Sequence, residues 1–450
     1  MIRSINPSTG NIIKEYDLYS DDSILAIIKD VNQEYLLWKK VSFSDRAKVL
    51  FNISDSLKSD IEKHAKMISL EMGKPIVESR QEIEKCIWVL RYFAENSEEF
   101  LKSESIKTDY KESYIQHDPL GIIFGVMPWN FPYWQVLRFI APVLMSGNTC
   151  IVKHAPNVSG CSLMIEKLIM DNSPFKNIFR SIICEVKSVK SIIENKAVKG
   201  VSLTGSDIAG SAVASYAGKE IKRTVLELGG SDAFIVLDDA DINQASKTAV
   251  MARFFNTGQS CIAAKRFLVH EDVYDQFILN VKSRIERLVV GDPLDSKTQI
   301  GPLAKYEFVK KIEGLVQSSI NSGAKCLIKS NSDGCFYRPV LLVDVDEEMP
   351  VFQHETFGPV FCVSKIKKID DAIRIANNSK YGLGGSVWTS DIEKAKFIAS
   401  QINTGAVFIN DMTKSDPRLP FGGVNNSGYG IELSKYGIKE FVNVKTIVVK

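Results

Sequence analysis

No Cys-x-x-Cys pair occurs among the eight cysteines at positions 86, 150, 161, 184, 261, 326, 335 and 362, which speaks against a zinc ribbon or a thioredoxin-type redox site. No GxGxxG occurs either, so a dinucleotide, if one binds, is held without that fingerprint. Charge of one sign is not in excess: Lys plus Arg is 56 against 54 for Asp plus Glu, a formal net charge of +2. Such a balance, without a basic or acidic tail, offers no footing for nucleic acid or an anionic membrane. The most apolar stretches, Phe139–Met145 and Ala233–Leu237, fall well short of the roughly 20 residues that span a bilayer. The opening MIRSINPSTG turns polar at once and shows no cleavage-site pattern, so no secretory signal is expected. Scattered thiols in such a chain point to a reducing cytoplasm.

What is present is a chain of 450 residues, 45% of them hydrophobic, long enough for two or three domains. Residues 20–103 read mostly as helix, with apolar positions at helical spacing in Ile24-Ile27-Ile28-Val31 and Val49-Leu50-Ile53-Leu57. Residues 103–117 alternate around a Lys-Glu-Ser turn and read as a two-stranded ribbon. From Gly121 to Leu237, short apolar runs (122–126, 149–152, 179–184, 198–203, 224–228) alternate with helical segments. That alternation predicts an α/β fold with a parallel sheet covered by helices. A second α/β stretch runs from Ser231 to Pro420, and the closing FVNVKTIVVK is strand-like.

Four segments carry candidate chemistry. In FFNTGQSCIAAKR (254–266), Cys261 follows a Gly-Gln-Ser turn after a long helix, where substrate can reach a nucleophilic thiolate. Most lone cysteines are simply small buried thiols, so a base has to accompany it. In TVLELGGSD (224–232), Glu227 ends an apolar strand, where desolvation raises a carboxyl pKa into the range of a general base; a solvent-facing edge glutamate is the plainer alternative. In MPWNFP (127–132), two prolines hold the backbone around Asn130, whose amide is then a rigid donor suited to an oxyanion, unless the segment is only a stiff aromatic turn. In VSLTGS (201–206), Gly205 and Ser206 lie where backbone N–H groups meet a phosphate, and the absence of a lysine after Gly210 disfavours a nucleoside-triphosphate loop. His154 and His354 are read as packing or surface residues. Asp241 is read as a helix cap beside solvated Asp238 and Asp239, and no metal site is expected.

Together and in this order, these segments resemble the aldehyde dehydrogenase superfamily. The resemblance extends from NPSTG (6–10) through ETFGPV (355–360), NTGAVFIN (403–410) and PFGGVNNSGYG (420–430) to EFVNVKT (440–446). It implies a dinucleotide-binding domain over 1–102 and 118–230, a catalytic domain over 231–420, and an oligomerisation ribbon with C-terminal segment over 103–117 and 421–450. It further implies that Cys261 attacks the aldehyde, that Asn130 and the Cys261 N–H hold the oxyanion, and that Glu227 activates the hydrolytic water. Lys153, Trp129, Gly205, Ser206, Glu355 and Phe357 then contact the dinucleotide. Its ribose end departs from the NAD-specific pattern: Pro156 stands where a glutamate grips both hydroxyls. The resemblance therefore implies NADP as the preferred cofactor and NAD as a second one.

WQVLRF (134–139), KHAPNV (153–158) and SDPRLPFGG (415–423) place the chain nearest the succinate-semialdehyde-oxidising branch. Arg138 is expected to face the substrate tunnel and bind a carboxylate, with Trp134, Phe255 and Ser415 as further tunnel residues. Other members with that activity carry an arginine at the position of Phe255, which leaves glyceraldehyde, glutarate semialdehyde and unspecialised short aldehydes open. Two readings of other classes stand beside these: a catalytically silent structural homologue and a coenzyme-A-acylating enzyme. A homodimer or homotetramer is expected.

Overall fold

In the computed structural model all 450 residues, Met1–Lys450, are described. Four helices, Asp21–Trp38, Phe43–Ser59, Ile61–Met72 and Ile76–Leu101, occupy most of the first hundred residues. A hairpin that the sequence reading did not anticipate precedes them, pairing Ile2–Ile5 with Ile12–Tyr16. Its apolar alternation is too short to read, and its turn is held locally: Asn6 Oδ1 accepts from the Ser8 N–H at 2.9 Å, and Gly10 takes a positive φ of 73°.

The first α/β unit is a six-stranded sheet in the order Gly428–Tyr429, Arg223–Glu227, Val198–Thr204, Ile122–Met127, Thr149–His154, Phe179–Ser181. Its strands are parallel except for Gly428–Tyr429, which pairs antiparallel with the strand ending in Glu227. Four candidate segments leave from carboxyl ends of these parallel strands: Pro128–Asn130 after Met127, Pro156 after His154, Gly205–Ser206 after Thr204, and Leu228–Gly230 after Glu227. Ligands of open α/β sheets bind at that edge.

The second unit is a seven-stranded sheet in the order Lys325–Ile328, Val340–Val343, Val360–Ile366, Ala264–His270, Asp232–Val236, Gly384–Trp388, Ala406–Ile409, antiparallel only at its Lys325–Ile328 edge. Cys261 lies just before Ala264–His270 and Glu355 just before Val360–Ile366. The carboxyl edge of one sheet thus supplies one wall of the site, and the amino edge of the other supplies the facing wall.

A three-stranded antiparallel sheet stands apart: Val442–Val449 pairs along the whole of Glu112–Pro119, and Glu104–Ser105 adds a short edge. Here the sequence reading needs correction. Glu112 and Ser113, read as part of a turn, lie within a strand, and the local hairpin spans only two paired positions. The main partner is the C-terminal strand, a long-range pairing that local alternation does not reveal. Residues 428–429, in the C-terminal segment, join the six-stranded sheet.

Candidate active site

Two cavities meet at Cys261. A wide cleft is lined by Trp129, Asn130, Gly205, Ser206, Glu355 and Phe357, among others, and a narrower tunnel by Trp134, Arg138, Phe255, Ser415 and Lys85. Only Cys261 and Gln135 line both. The sulfur therefore stands where something in the cleft and something in the tunnel come into contact.

The turn that presents Cys261 is strained and heavily braced. Asn256, Thr257 and Gly258 take positive φ in succession, 55°, 55° and 75°. Non-glycine residues hold such angles only where their surroundings over-determine them. The Asn256 N–H donates to Glu78 Oε2 at 2.7 Å, and its side-chain amide donates to the carbonyls of Asn130 (2.8 Å) and Gln259 (3.1 Å). Thr257 Oγ1 accepts from the Gly301 N–H at 3.0 Å, and Gln259 Oε1 from the Ala304 N–H at 2.9 Å. From below, the buried ammonium of Lys265 donates to the carbonyls of Cys261 (2.7 Å), Ser260 (3.0 Å) and Ala263 (3.3 Å) and lies 3.5 Å from Glu355.

Asn130 is tied to the same turn, its Nδ2 donating to the Gln259 carbonyl at 3.0 Å. A primary amide has a second N–H, and the Cys261 backbone N–H makes no protein hydrogen bond. Asn130 and Cys261 both border the cleft, and two such donors are what an oxyanion held there would require. Burial pushes the Cys261 thiol up to about 12, while Arg138 and Lys265 pull the other way.

Glu227 is 2% exposed and lines neither cavity. Gly229 and Gly230 pack its strand end against Glu355 and the Cys261 turn: a Cβ on Gly230 would stand 2.6 Å from the Cys261 carbonyl oxygen, and one on Gly229 2.6 Å from Glu355 Oε2. Burial, followed by the field of Glu432, holds the Glu227 carboxyl well above the usual range. Glu432 forms an ion pair with Arg138, both fully buried. One guanidinium faces two carboxyls: burial raises both Glu227 and Glu432, and Arg138, in direct contact with Glu432, pulls both back down. Arg138→Met would leave Glu432 without its counter-charge, at about 3–5 kcal/mol. Thermal unfolding should show a large drop in midpoint for the single variant and recovery in Arg138→Met/Glu432→Gln. Equal midpoints for wild type and single variant would sink this account of the pair.

In the cleft, Trp129 stacks on Phe308 with centroids 5.0 Å apart and meets Phe357 edge-on at 5.7 Å. Ser206 caps the helix Asp207–Lys219, accepting from the Ala209 N–H at 3.2 Å, so the helix N-terminus opens at the cleft. Lys153 and Pro156 line neither the cleft nor the tunnel; Pro156 borders a small separate pocket with Ser159 and Cys184. Lys153 is buried, its ammonium reaching only the His154 carbonyl at 3.4 Å. His154 is a packing residue, both ring nitrogens lying against the carbonyls of Met127 and Pro132. Asp241 caps its helix through the Gln244 N–H at 3.0 Å.

The sequence reading missed Lys85, Glu78, Lys265 and Glu432. Glu78 and Lys85 sit in an ordinary helical pattern and Lys265 in a strand, and Glu432 lies in the irregular stretch before Ser434–Gly437. Only the proximity of Lys265 to Cys261 was a usable signal.

The description "Aldehyde dehydrogenase family" belongs to the family model that matches residues 1–447. A probable NADP-dependent succinate-semialdehyde dehydrogenase of Synechocystis is 42% identical over 449 residues, covering 99% of each chain. Succinate-semialdehyde dehydrogenase [NADP(+)] 1 of Mycobacterium tuberculosis is 42% identical over 455 residues, again with 99% of each covered. The crystal structure of succinic semialdehyde dehydrogenase from Streptococcus pyogenes in complex with NADP+ superposes with a TM-score of 0.97 at 34% identity, with 100% of each chain covered.

Proposed function

The chain belongs to the aldehyde dehydrogenase family, and we propose that it oxidises succinate semialdehyde to succinate with NADP through a thioester on Cys261. The observation that carries this reading is the position of Cys261, at the one place where the cleft and a tunnel walled by Lys85 and Arg138 adjoin. The aldehyde enters by the tunnel. Cys261 releases its proton to solvent through the open cleft and its thiolate adds to the carbonyl carbon, while Asn130 Nδ2 and the Cys261 N–H receive the oxygen's charge. Bound NADP supplies the hydride acceptor. Glu227, once deprotonated, swings from its buried position to take a proton from the water that cleaves the thioester, and carboxylate and free thiol separate.

The cleft fits the cofactor. A helix N-terminus at Ser206–Ile208 suits a pyrophosphate, and Glu355 and Phe357 border the cleft next to the sulfur. At the end of the strand Thr149–His154, outside the cleft lining, the Lys153 ammonium has no carboxylate partner and no acid stands at position 156, which favours a 2′-phosphate. NAD is accepted as a second cofactor. Pro156→Glu should lower the NADP to NAD ratio of kcat/KM by about tenfold or more, the scale of one charged hydrogen-bonding contact. An unchanged ratio would show that position 156 does not read the ribose. The exposed Val444, Val448 and Val449 on the terminal strand make the ribbon the contact to a second copy, in a dimer or pair of dimers.

The function is tested with succinate semialdehyde, glyceraldehyde, propanal and butanal, each against NADP and NAD. Succinate semialdehyde should exceed butanal in kcat/KM by roughly 10- to 100-fold. Equal values would reduce the assignment to an unspecialised short-aldehyde dehydrogenase. Formation of an acyl-coenzyme A product on adding coenzyme A would replace it with the acylating reaction.

A further inference from the structure

The tunnel holds more positive charge than the resemblance leads one to expect, and most of it is already spent. Arg138, 2% exposed, pairs with Glu432 and lies 4.9 Å from the Phe421 ring centroid. Lys414 pairs with Asp411. Glu82 is the tunnel's only carboxylate, and it is saturated: Oε1 accepts from the N–H groups of Tyr133 (2.9 Å) and Trp134 (3.0 Å), and Oε2 meets Lys74. Phe255, stacked on Phe131 at 6.0 Å, contributes no charge.

Lys85 differs. It sits three residues after Glu82 on the helix Ile76–Leu101, so both project onto one face toward the tunnel. Its ammonium donates to Ser415 Oγ at 2.8 Å and lies 4.4 Å from the Trp134 ring centroid, but no carboxylate pairs with it. Asp416, the nearest acid on the facing loop, is engaged by Arg418 at 2.6 and 2.9 Å. A half-buried cation without a counter-ion in a cavity is an incomplete ion pair. Two further donors stand by: Ser415, accepting from Lys85, still has its hydroxyl proton to give, and buried Arg138 Nη2 has no hydrogen-bond partner.

We infer that Lys85, assisted by the Ser415 hydroxyl and Arg138 Nη2, is the receptor for the substrate's remote carboxylate, and that Lys85 sets the preference for acidic aldehydes. The inference rests on the reading that the aldehyde reaches Cys261 through this tunnel. Arg138 contributes direction, its guanidinium being shared with Glu432. Burial first, and Arg138 second, bring the Lys85 ammonium down to about 8. The charged groups facing it are Arg138 on the helix Trp134–Met145 and Asp416, with its partner Arg418, on the loop after Thr413; Glu82 and the Cys86 thiol lie on its own helix. Affinity for an acidic aldehyde should therefore weaken as pH rises through about 8, and a neutral aldehyde should show no matching trend.

The test uses full-length enzyme with NADP, comparing wild type, Lys85→Met and Lys85→Arg on succinate semialdehyde and butanal. In Lys85→Met the ratio of the two kcat/KM values should fall roughly 10- to 100-fold, the scale of a hydrogen bond to a charged group, chiefly through KM for the acid. Lys85→Arg should keep most of the ratio and remove the weakening near pH 8. A proportional loss on both aldehydes, or an unchanged ratio in Lys85→Met, would overturn the inference while leaving the proposed reaction standing. A wild-type ratio near one would instead sink the proposed substrate and the receptor together.

Discussion

Cys261→Ala should lose aldehyde oxidation entirely, with NADP affinity nearly intact. The expectation follows from the division of labour around the sulfur. Of the eight cysteines, Cys261 alone borders the cleft or the tunnel, so no second thiol can substitute. The cleft walls formed by Trp129, Ser206 and Phe357 belong to other segments and do not depend on a thiol. Titration by cofactor fluorescence and a steady-state assay separate the two properties. Turnover by the variant at even a hundredth of the wild-type rate would end the covalent account. The wild-type pH profile offers a second check. Burial holds the thiol protonated at neutral pH, so acylation should speed up as pH rises; a rate falling with pH through the neutral range would contradict a thiolate nucleophile.

Much of this arrangement can be read in the sequence, and what cannot has a common physical cause. Asn130, Gly205, Ser206 and Glu227 are legible because each sits at or just past the end of an apolar strand, where a change in pattern marks the exit from the sheet. Cys261 is legible because an unusual turn precedes it, and the three positive φ angles of Asn256, Thr257 and Gly258 show why that turn is unusual. The parallel sheets follow from strand–helix alternation. Lys85, Glu78 and Glu432 gave no such sign. Lys85 looks like any solvated helix position until Ser415, 330 residues away in sequence, is folded against it. The same holds for Arg138, whose place on the tunnel was expected but whose pairing with Glu432 was not. The terminal strand repeats the lesson in backbone form, since its register with Glu112–Pro119 is fixed by an alignment of two distant segments. Local pattern locates elements; charge compensation depends on which elements meet.

Charge compensation also leads to the second large effect. Glu227→Gln should convert the enzyme from a catalyst into a reagent: one equivalent of NADPH per active site in a fast burst, followed by turnover slower by a factor of about 100 to 10,000, the usual contribution of a general base. In the proposed reaction acylation draws on Cys261, Asn130 and cofactor but not on Glu227, and the glutamine keeps the volume behind the strand end filled. Hydrolysis needs a group that accepts a proton from water, and no other carboxylate is available near the sulfur: Glu432 is held by Arg138, and Glu355 accepts from the Gly230 N–H at 3.1 Å and lies 3.5 Å from Lys265. The stalled thioester should be released by hydroxylamine, which attacks without a base. In the wild type, the raised Glu227 carboxyl predicts deacylation that accelerates with pH as its proton leaves, and the glutamine variant should lose that dependence. A variant showing neither burst nor turnover would mean that Glu227 also takes the thiol proton, moving it from the second half of the reaction into the first. A variant turning over at the wild-type rate would leave the thioester's hydrolysis without a base and would require another group for that step.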